Sequence, residues 1–351
     1  MKYLPPELLL DIFSRAVPAS PCLVPLEWNE RKQSLSSFML VTKSWTSAAQ
    51  EVLFTEVRVQ QGIYRHEPRW KVEPAVTKSL QQRTPKWLTF TGNIRDLISL
   101  KDEQISWGGT KRLACADTRG SLFDLHAKYR DLETLVCGGG QYRVNKPIPS
   151  LAFVNLRRLV LGPGAAIYGE VPDCQRGFSS SNMPHLRHLS LDVDALPGKD
   201  ADQALAGILP QITSLAILDR NKGNGPGRNL IKLLHLSPNL VHLSIMLRAT
   251  HFEAGAFAKA IANVQLRSLH FQAQMLLDES GALYYEASDF YREALALANQ
   301  QTATIGIARI VGYGRDYRVG CLARSARKTM RFDVFERGNG PSPPFADFDG
   351  R

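Results

Sequence analysis

The side chains of this chain best suited to chemistry are three histidines, His188, His242 and His270, each inside a short apolar segment. Imidazole is a common ligand of zinc and other divalent metals. If those segments pair side by side, neighbouring strands stand about 4.8 Å apart, so His242 and His270 approach each other. His188 then lies two strands from His242. No cysteine or carboxylate completes a ligand set at zinc-like spacing, so the histidines alone define no metal centre. Gly223-Asn-Gly-Pro-Gly227 precedes a predicted helix at Arg228, and a helix start can hold phosphate. The Lys-Ser/Thr of a P-loop is missing there, and the glycine spacing is not that of a dinucleotide loop. It reads as a strand-to-helix connection, and Gly138–Gly140 reads the same way. No G-x-S-x-G elbow occurs, and no Cys/His pair has a recognisable setting. The sequence therefore predicts a non-catalytic chain without metal or cofactor.

The elements that carry these residues repeat. A Leu-x-x-Leu-x-Leu pattern runs through Leu156–Leu161, Leu186–Leu191, Ile212–Ile217, Leu240–Ile245 and Leu266–Phe271. Weaker copies lie at Trp87–Phe90, Lys111–Cys115 and Leu132–Cys137. The second leucines of successive units, at 135, 159, 189, 215, 243 and 269, are 24, 30, 26, 28 and 26 residues apart. Helical periodicity appears between them at Asp202–Leu209, Arg228–His235 and Phe252–Val264. A strand then a helix at this period resembles an irregular leucine-rich repeat solenoid, an α/β fold with parallel strands on a concave face and helices on the convex one. The asparagine expected after each strand is missing. The insert Gly162–Met183 and a helix around Ser288–Asn299 break the regularity. Met330, Phe332 and Val334 alternate like a last strand, and Gly338–Arg351 reads as a disordered tail.

Strand side chains alternate between faces. With the leucines inward, the opposite face carries Arg158 and Val160, then His188, Ser190 and Asp192. Ser214 and Ala216 follow, then His242, Ser244 and Met246, then Ser268, His270 and Gln272. A continuous curved face of mixed polar and small residues suits protein recognition. From it Arg158, His188, Ser190, Asp192, His242, Ser244, Met246, His270 and Gln272 are taken as substrate-contact candidates. A solvated face without a partner, or binding by the helices and loops, is the alternative.

Composition narrows the classes. The chain has 351 residues, 44% of them hydrophobic, enough for a large core. No apolar run approaches the roughly 20 residues of a membrane span. Glu7 and Asp11 interrupt the first apolar stretch, unlike a signal peptide. The five cysteines, Cys22, Cys115, Cys137, Cys174 and Cys321, are widely spaced and odd in number. That argues for buried reduced thiols and a cytoplasmic or nuclear location. The formal charge of +10 is spread out. Residues 1–60 are neutral overall and 61–130 carry +6, without a run of five like charges. A nucleic-acid binder concentrates its charge in a stripe. A polyanion site in 61–130 stays open, but a solvated basic surface is the simpler reading.

The N-terminus carries the most specific signal. Pro5 and Pro6 suit a helix entry, with Glu7 near its positive end. Leu8, Leu9, Ile12, Phe13 and Ala16 recur at helical spacing, and Val17–Pro18 ends the run. Residues 18–33 read as an irregular insertion. Ser34 or Ser36 caps a second short helix through Phe38, Met39 and Leu40. A third helix places Trp45, Ala48, Ala49, Val52 and Leu53 on one stripe. Val57-Arg58-Val59 suggests a strand.

The pieces Leu4-Pro-x-Glu7-Leu8-Leu9, Ile12-Phe13, Leu40-Val41-x-Lys43-Ser44-Trp45 and Leu53-Phe54 resemble, in order, the F-box in the form found in many fungal proteins. Thr42 stands where that family usually has cysteine, and the insertion is longer than in many animal F-boxes. The resemblance covers residues 3–54. It implies a small three-helix domain that docks on the Skp adaptor of a cullin-RING ubiquitin ligase. The carried-over contact residues are Leu4, Pro5, Leu8, Ile12, Phe13, Leu40, Val41 and Trp45. The expected layout is an F-box at 1–58, a linker or first irregular repeat at 59–80, a solenoid at 81–336 and a tail at 337–351. The function implied is a substrate adaptor, monomeric outside its complex, binding the Skp adaptor, cullin through it, and a protein substrate. The alternatives are a repeat scaffold and a polyanion-binding protein acting outside ubiquitination.

Overall fold

The structure is a computed structural model. It describes residues 4–17, 25–53, 56–62, 69–71, 87–99, 110–144, 151–162, 165–192, 195–196, 201–219, 226–249, 260, 264, 268–276, 307–313, 317–324 and 329–336. The chain divides into two compact units, Met1–Leu156 and Arg157–Arg351.

The first unit opens with three helices, α1 (Pro6–Ala16), α2 (Pro25–Met39) and α3 (Lys43–Leu53). α2 corrects the sequence reading, because much of the expected insertion is helix. Pro25 opens it, where a missing N–H costs little, and Glu27, Glu30, Arg31 and Lys32 are helical. Buried Arg31 explains a polar helix that packs well: its guanidinium donates to the Val52 carbonyl at 2.8 Å, near the end of α3. The sheet follows at once. β1 (Glu56–Gly62) starts three residues after α3, and the buried Glu56 carboxylate accepts the Thr89 hydroxyl at 2.7 Å. The expected boundary at residue 58 therefore falls inside a strand, and the helices share a unit with the sheet. Within the stretch expected as a linker or first irregular repeat, β1 runs to Gly62 and β2 is Arg69–Lys71.

Next come β3 (Trp87–Asn93), β4 (Arg112–Ser121), β5 (Thr134–Cys137) and β6 (Gly140–Arg143). The order is β2-β1-β3-β4-β5, with β6 beside the far end of β4. β2 pairs antiparallel and the rest parallel. The weak sequence repeats are thus true rungs. Val57, Leu88, Leu113 and Leu135 stand in one row, and Val59, Phe90, Cys115 and Cys137 in the next. All eight are buried, since a period-2 strand with a single apolar face can hide it only against a common core.

In the second unit, β7 (Arg158–Leu161), β9 (His188–Asp192), β10 (Ser214–Asp219), β11 (His242–Ala249), β12 (Ser268–Leu276) and β13 (Ile307–Tyr313) pair parallel in sequence order. β8 is Ala165–Tyr168. Leu159, Leu189, Leu215, Leu243 and Leu269 form one row. Leu161, Leu191, Ile217, Ile245 and Phe271 form the next. The repeat pattern thus sets the register. The connections hold helices Val171–Gly177, Ala201–Leu205 and Pro226–His235 and the 3-10 turn Leu209–Gln211. Their apolar residues Leu205, Ile208, Leu209, Leu230, Leu233 and Leu234 are buried. The expected insert at 162–183 contains β8 and one of these helices. The all-parallel expectation fails at the end of the sheet: β13, β14 (Tyr317–Arg324) and β15 (Thr329–Glu336) pair antiparallel. Short connections between them allow a hairpin but not a crossover. The expected helices around 252–264 and 288–299, and the tail, lie outside the described residues, apart from Ala260 and Val264.

Side-chain amides stand just ahead of three of the strands. Asn155 donates to the Arg130 carbonyl at 3.3 Å, Gln211 to Met183 at 2.7 Å and Asn239 to Pro210 at 2.8 Å. Each of these residues immediately precedes the first apolar residue of its repeat and reaches the turn of the preceding one. The turn carbonyls so gain partners that the strand ladder does not supply.

Candidate functional site: an exposed apolar face on the N-terminal helices

α1 has two apolar faces, and the structure separates them. Leu9, Phe13 and Val17, four residues apart, are buried with Leu35 of α2 and Ala48, Ala49 and Val52 of α3. Leu4, Leu8 and Ile12, equally spaced, reach solvent, 44%, 44% and 42% exposed. Pro5 fixes the entry: its carbonyl accepts the amides of Leu8 and Leu9, each at 3.1 Å. Asp11 and Arg15 form an exposed ion pair at 3.0 Å one turn apart.

The turn between α2 and α3 exposes two more apolar side chains, Leu40 (88%) and Val41 (55%). Apolar residues in a short helix–helix turn are unusual, since such turns favour Gly, Asn, Asp and Ser. The turn is nevertheless well tied. Leu40 and Val41 donate their amides to the Ser37 and Phe38 carbonyls at 3.1 and 3.2 Å. The Thr42 hydroxyl caps α3 by accepting the Trp45 amide at 3.4 Å. Trp45 is half-buried. It meets Phe13 edge-on at 5.2 Å and Phe38 at 6.4 Å, and Phe13 and Phe38 stack at 4.7 Å.

Of the eight residues taken as contact candidates, Leu4, Pro5, Leu8, Ile12, Leu40 and Val41 are exposed and Trp45 is partly so. Phe13 is corrected: at 1% exposure it belongs to the three-helix core. Its i,i+4 relation to Leu9 puts it on the inward stripe, about 100° round the helix from Leu8 and Ile12.

The sheet face opposite the leucines carries the other candidates. Arg158, His188, Ser214, His242 and Ser268 share one row, and Val160, Ser190, Ala216, Ser244 and His270 the next. Arg158, His188, His242 and Ser244 are half-exposed. Ser190 and Asp192 are buried, which corrects their place among surface contacts. The row neighbours of Ser190, Val160 and Ala216, are buried as well. Met246, His270 and Gln272 are located by strand register, and their side chains lie outside the description. The register places Ser268, not His270, opposite His242, so the two histidines are diagonal neighbours. No group of three potential metal ligands occurs among the described residues.

Gly138–Gly140 proves to be a packed turn. The buried Tyr142 hydroxyl donates to the carbonyls of Gly138 at 2.9 Å and Cys115 at 3.1 Å. Gly140 has φ +131°, and a Cβ there would collide with the Thr118 backbone. Gly223–Asn224–Gly225 lies outside the described residues. The described thiols Cys115, Cys137 and Cys174 are free and buried. Burial pushes Cys115 up to about 12, offset in part by its hydrogen bond with Thr118. Burial likewise raises Cys137, with the neighbouring Cys115 adding to it, and takes Cys174 to about 11 with help from Asp173. Such thiols stay protonated at neutral pH and are poor nucleophiles. No described helix is long and apolar enough to cross a membrane.

The chain matches no model of a known protein family, and no curated protein matches it. The likeness to the F-box and to leucine-rich repeats therefore rests on the residues themselves.

Proposed function

We propose that this chain is a substrate adaptor of a Skp–cullin–F-box ubiquitin ligase. The N-terminal helices dock on the Skp adaptor, and the leucine-rich-repeat-like sheet holds a protein substrate. The observation that carries this reading is the exposure of Leu4, Leu8, Ile12, Leu40 and Val41 on a module that buries Leu9, Phe13, Val17, Leu35, Ala48, Ala49 and Val52. Apolar anchors on a helix face are how helices enter a partner's groove. These five are among the eight positions the F-box resemblance assigns to the Skp contact; of the other three, Phe13 is buried in the helical core. The half-exposed Arg158, His188, His242 and Ser244 are the substrate contacts proposed on the sheet. Holding the substrate beside the charged ubiquitin enzyme raises its effective concentration, with no bond chemistry by this chain.

The test is affinity purification of the tagged full chain after proteasome inhibition. The reading expects both the Skp adaptor and cullin in the eluate, with ubiquitin-modified substrate. Adaptor without cullin would make the chain a scaffold outside ubiquitination. Absence of the adaptor would remove the proposal.

A further inference from the structure

We propose that Thr46 is a positioning residue of the docking face, holding the Leu40–Val41 turn in the shape that presents both side chains. This rests on the docking reading above. A helix leaves its last carbonyls without intrahelical partners, and a glycine after the helix commonly lets the chain satisfy them. α2 ends at Met39 with no glycine, and Leu40 and Val41 follow directly. The orphan Met39 carbonyl is taken instead by the Thr46 hydroxyl, 3.1 Å away and seven residues on, from the first turns of α3. The same hydroxyl lies 3.3 Å from the Thr42 carbonyl, and the Thr46 amide also reaches that carbonyl at 3.3 Å. One side chain thus ties the end of α2 to the start of α3, spanning Leu40 and Val41, 88% and 55% exposed. Thr46 is itself only half-exposed. It acts through the turn and is not one of the predicted contact residues.

The expected consequence is a loss of affinity out of proportion to any loss of stability. Thr46→Val keeps the branched shape and removes only the hydroxyl. Released from its tie, the turn samples other conformations, and the partner must select the competent fraction. Binding of the purified full-length chain to purified Skp adaptor should weaken by about fivefold, the scale of one intramolecular hydrogen bond. Thr46→Ser, which keeps the hydroxyl, should bind within about twofold of wild type on the same scale. Thermal melting of all three separates the roles. A merely structural Thr46 would lower the melting temperature and leave the Kd of the folded protein unchanged. If wild type binds, Leu8→Asp does not, and Thr46→Val binds as wild type, the brace is refuted while the docking reading stands. If wild type fails to bind, both fall.

Discussion

Leu8 and Leu9 are adjacent in sequence, yet the account assigns them opposite consequences. Leu8→Asp combined with Ile12→Asp places two charges where the side chains are 44% and 42% exposed. Full burial of such a side chain is worth about 2.5 kcal/mol. Sealing the exposed part under a partner therefore contributes about 1 kcal/mol each. Burying an unpaired aspartate in their place costs several kcal/mol more. The sum, at least about 4 kcal/mol, is a thousandfold or more in Kd. The fold loses only the part of each side chain already covered, about 1.4 kcal/mol apiece. Leu9→Asp instead buries a charge at a position 3% exposed in the seven-residue core. That exceeds what a small helical module can absorb. Isothermal titration against the Skp adaptor, with far-ultraviolet circular dichroism and thermal melts, reads both quantities. The double variant should keep its helical signal and lose binding, and Leu9→Asp should melt the helices. Wild-type affinity in the double variant, or unfolding equal to that of Leu9→Asp, would refute the reasoning.

Further outcomes follow from the rest of the molecule. Gly140→Ala should destabilise the first unit by about 2 kcal/mol or more, because a left-handed backbone and a backbone collision coincide there, measurable as a lower denaturant midpoint. Asn239→Ala should cost about 1 kcal/mol or less, since its bond to Pro210 is exposed, and should leave adaptor binding unchanged in titration. Cys115 should resist alkylation in the native protein at pH 8 and react only on unfolding. Its folded value of about 12 lies above the ordinary 9.0, so the unfolded chain sheds the proton first. Its contribution is complete below about pH 9 and is lost as the pH rises towards 12, so denaturation midpoints should fall across that window.

The sheet was largely legible in the sequence because a parallel ladder repeats one apolar row per strand. Leu159, Leu189, Leu215, Leu243 and Leu269 announce both period and register, and even the weak copies at 87, 111 and 132 mark strands. The length of α2 was hidden because its first turns are polar, and the interaction that ties it down, Arg31 to the Val52 carbonyl, is tertiary. The burial of Ser190 and Asp192 was hidden for a like reason: alternation gives the face of a strand but not how deeply neighbouring rungs cover it. The amides of Asn155, Gln211 and Asn239 did carry a signal, standing just before the first apolar residue of three repeats. On α1, two neighbouring helical stripes hold the core and the surface apolar residues. Spacing identifies the two sets, and only the packing of α2 and α3 decides which is inward.

Amide hydrogen exchange of the full chain, with and without a saturating Skp adaptor, tests the account most directly. It predicts added protection across residues 6–13 and 40–46 and none across the buried rows at 113–115 and 135–137. A stable complex that leaves the first two segments unchanged, or protects only the sheet, would contradict it.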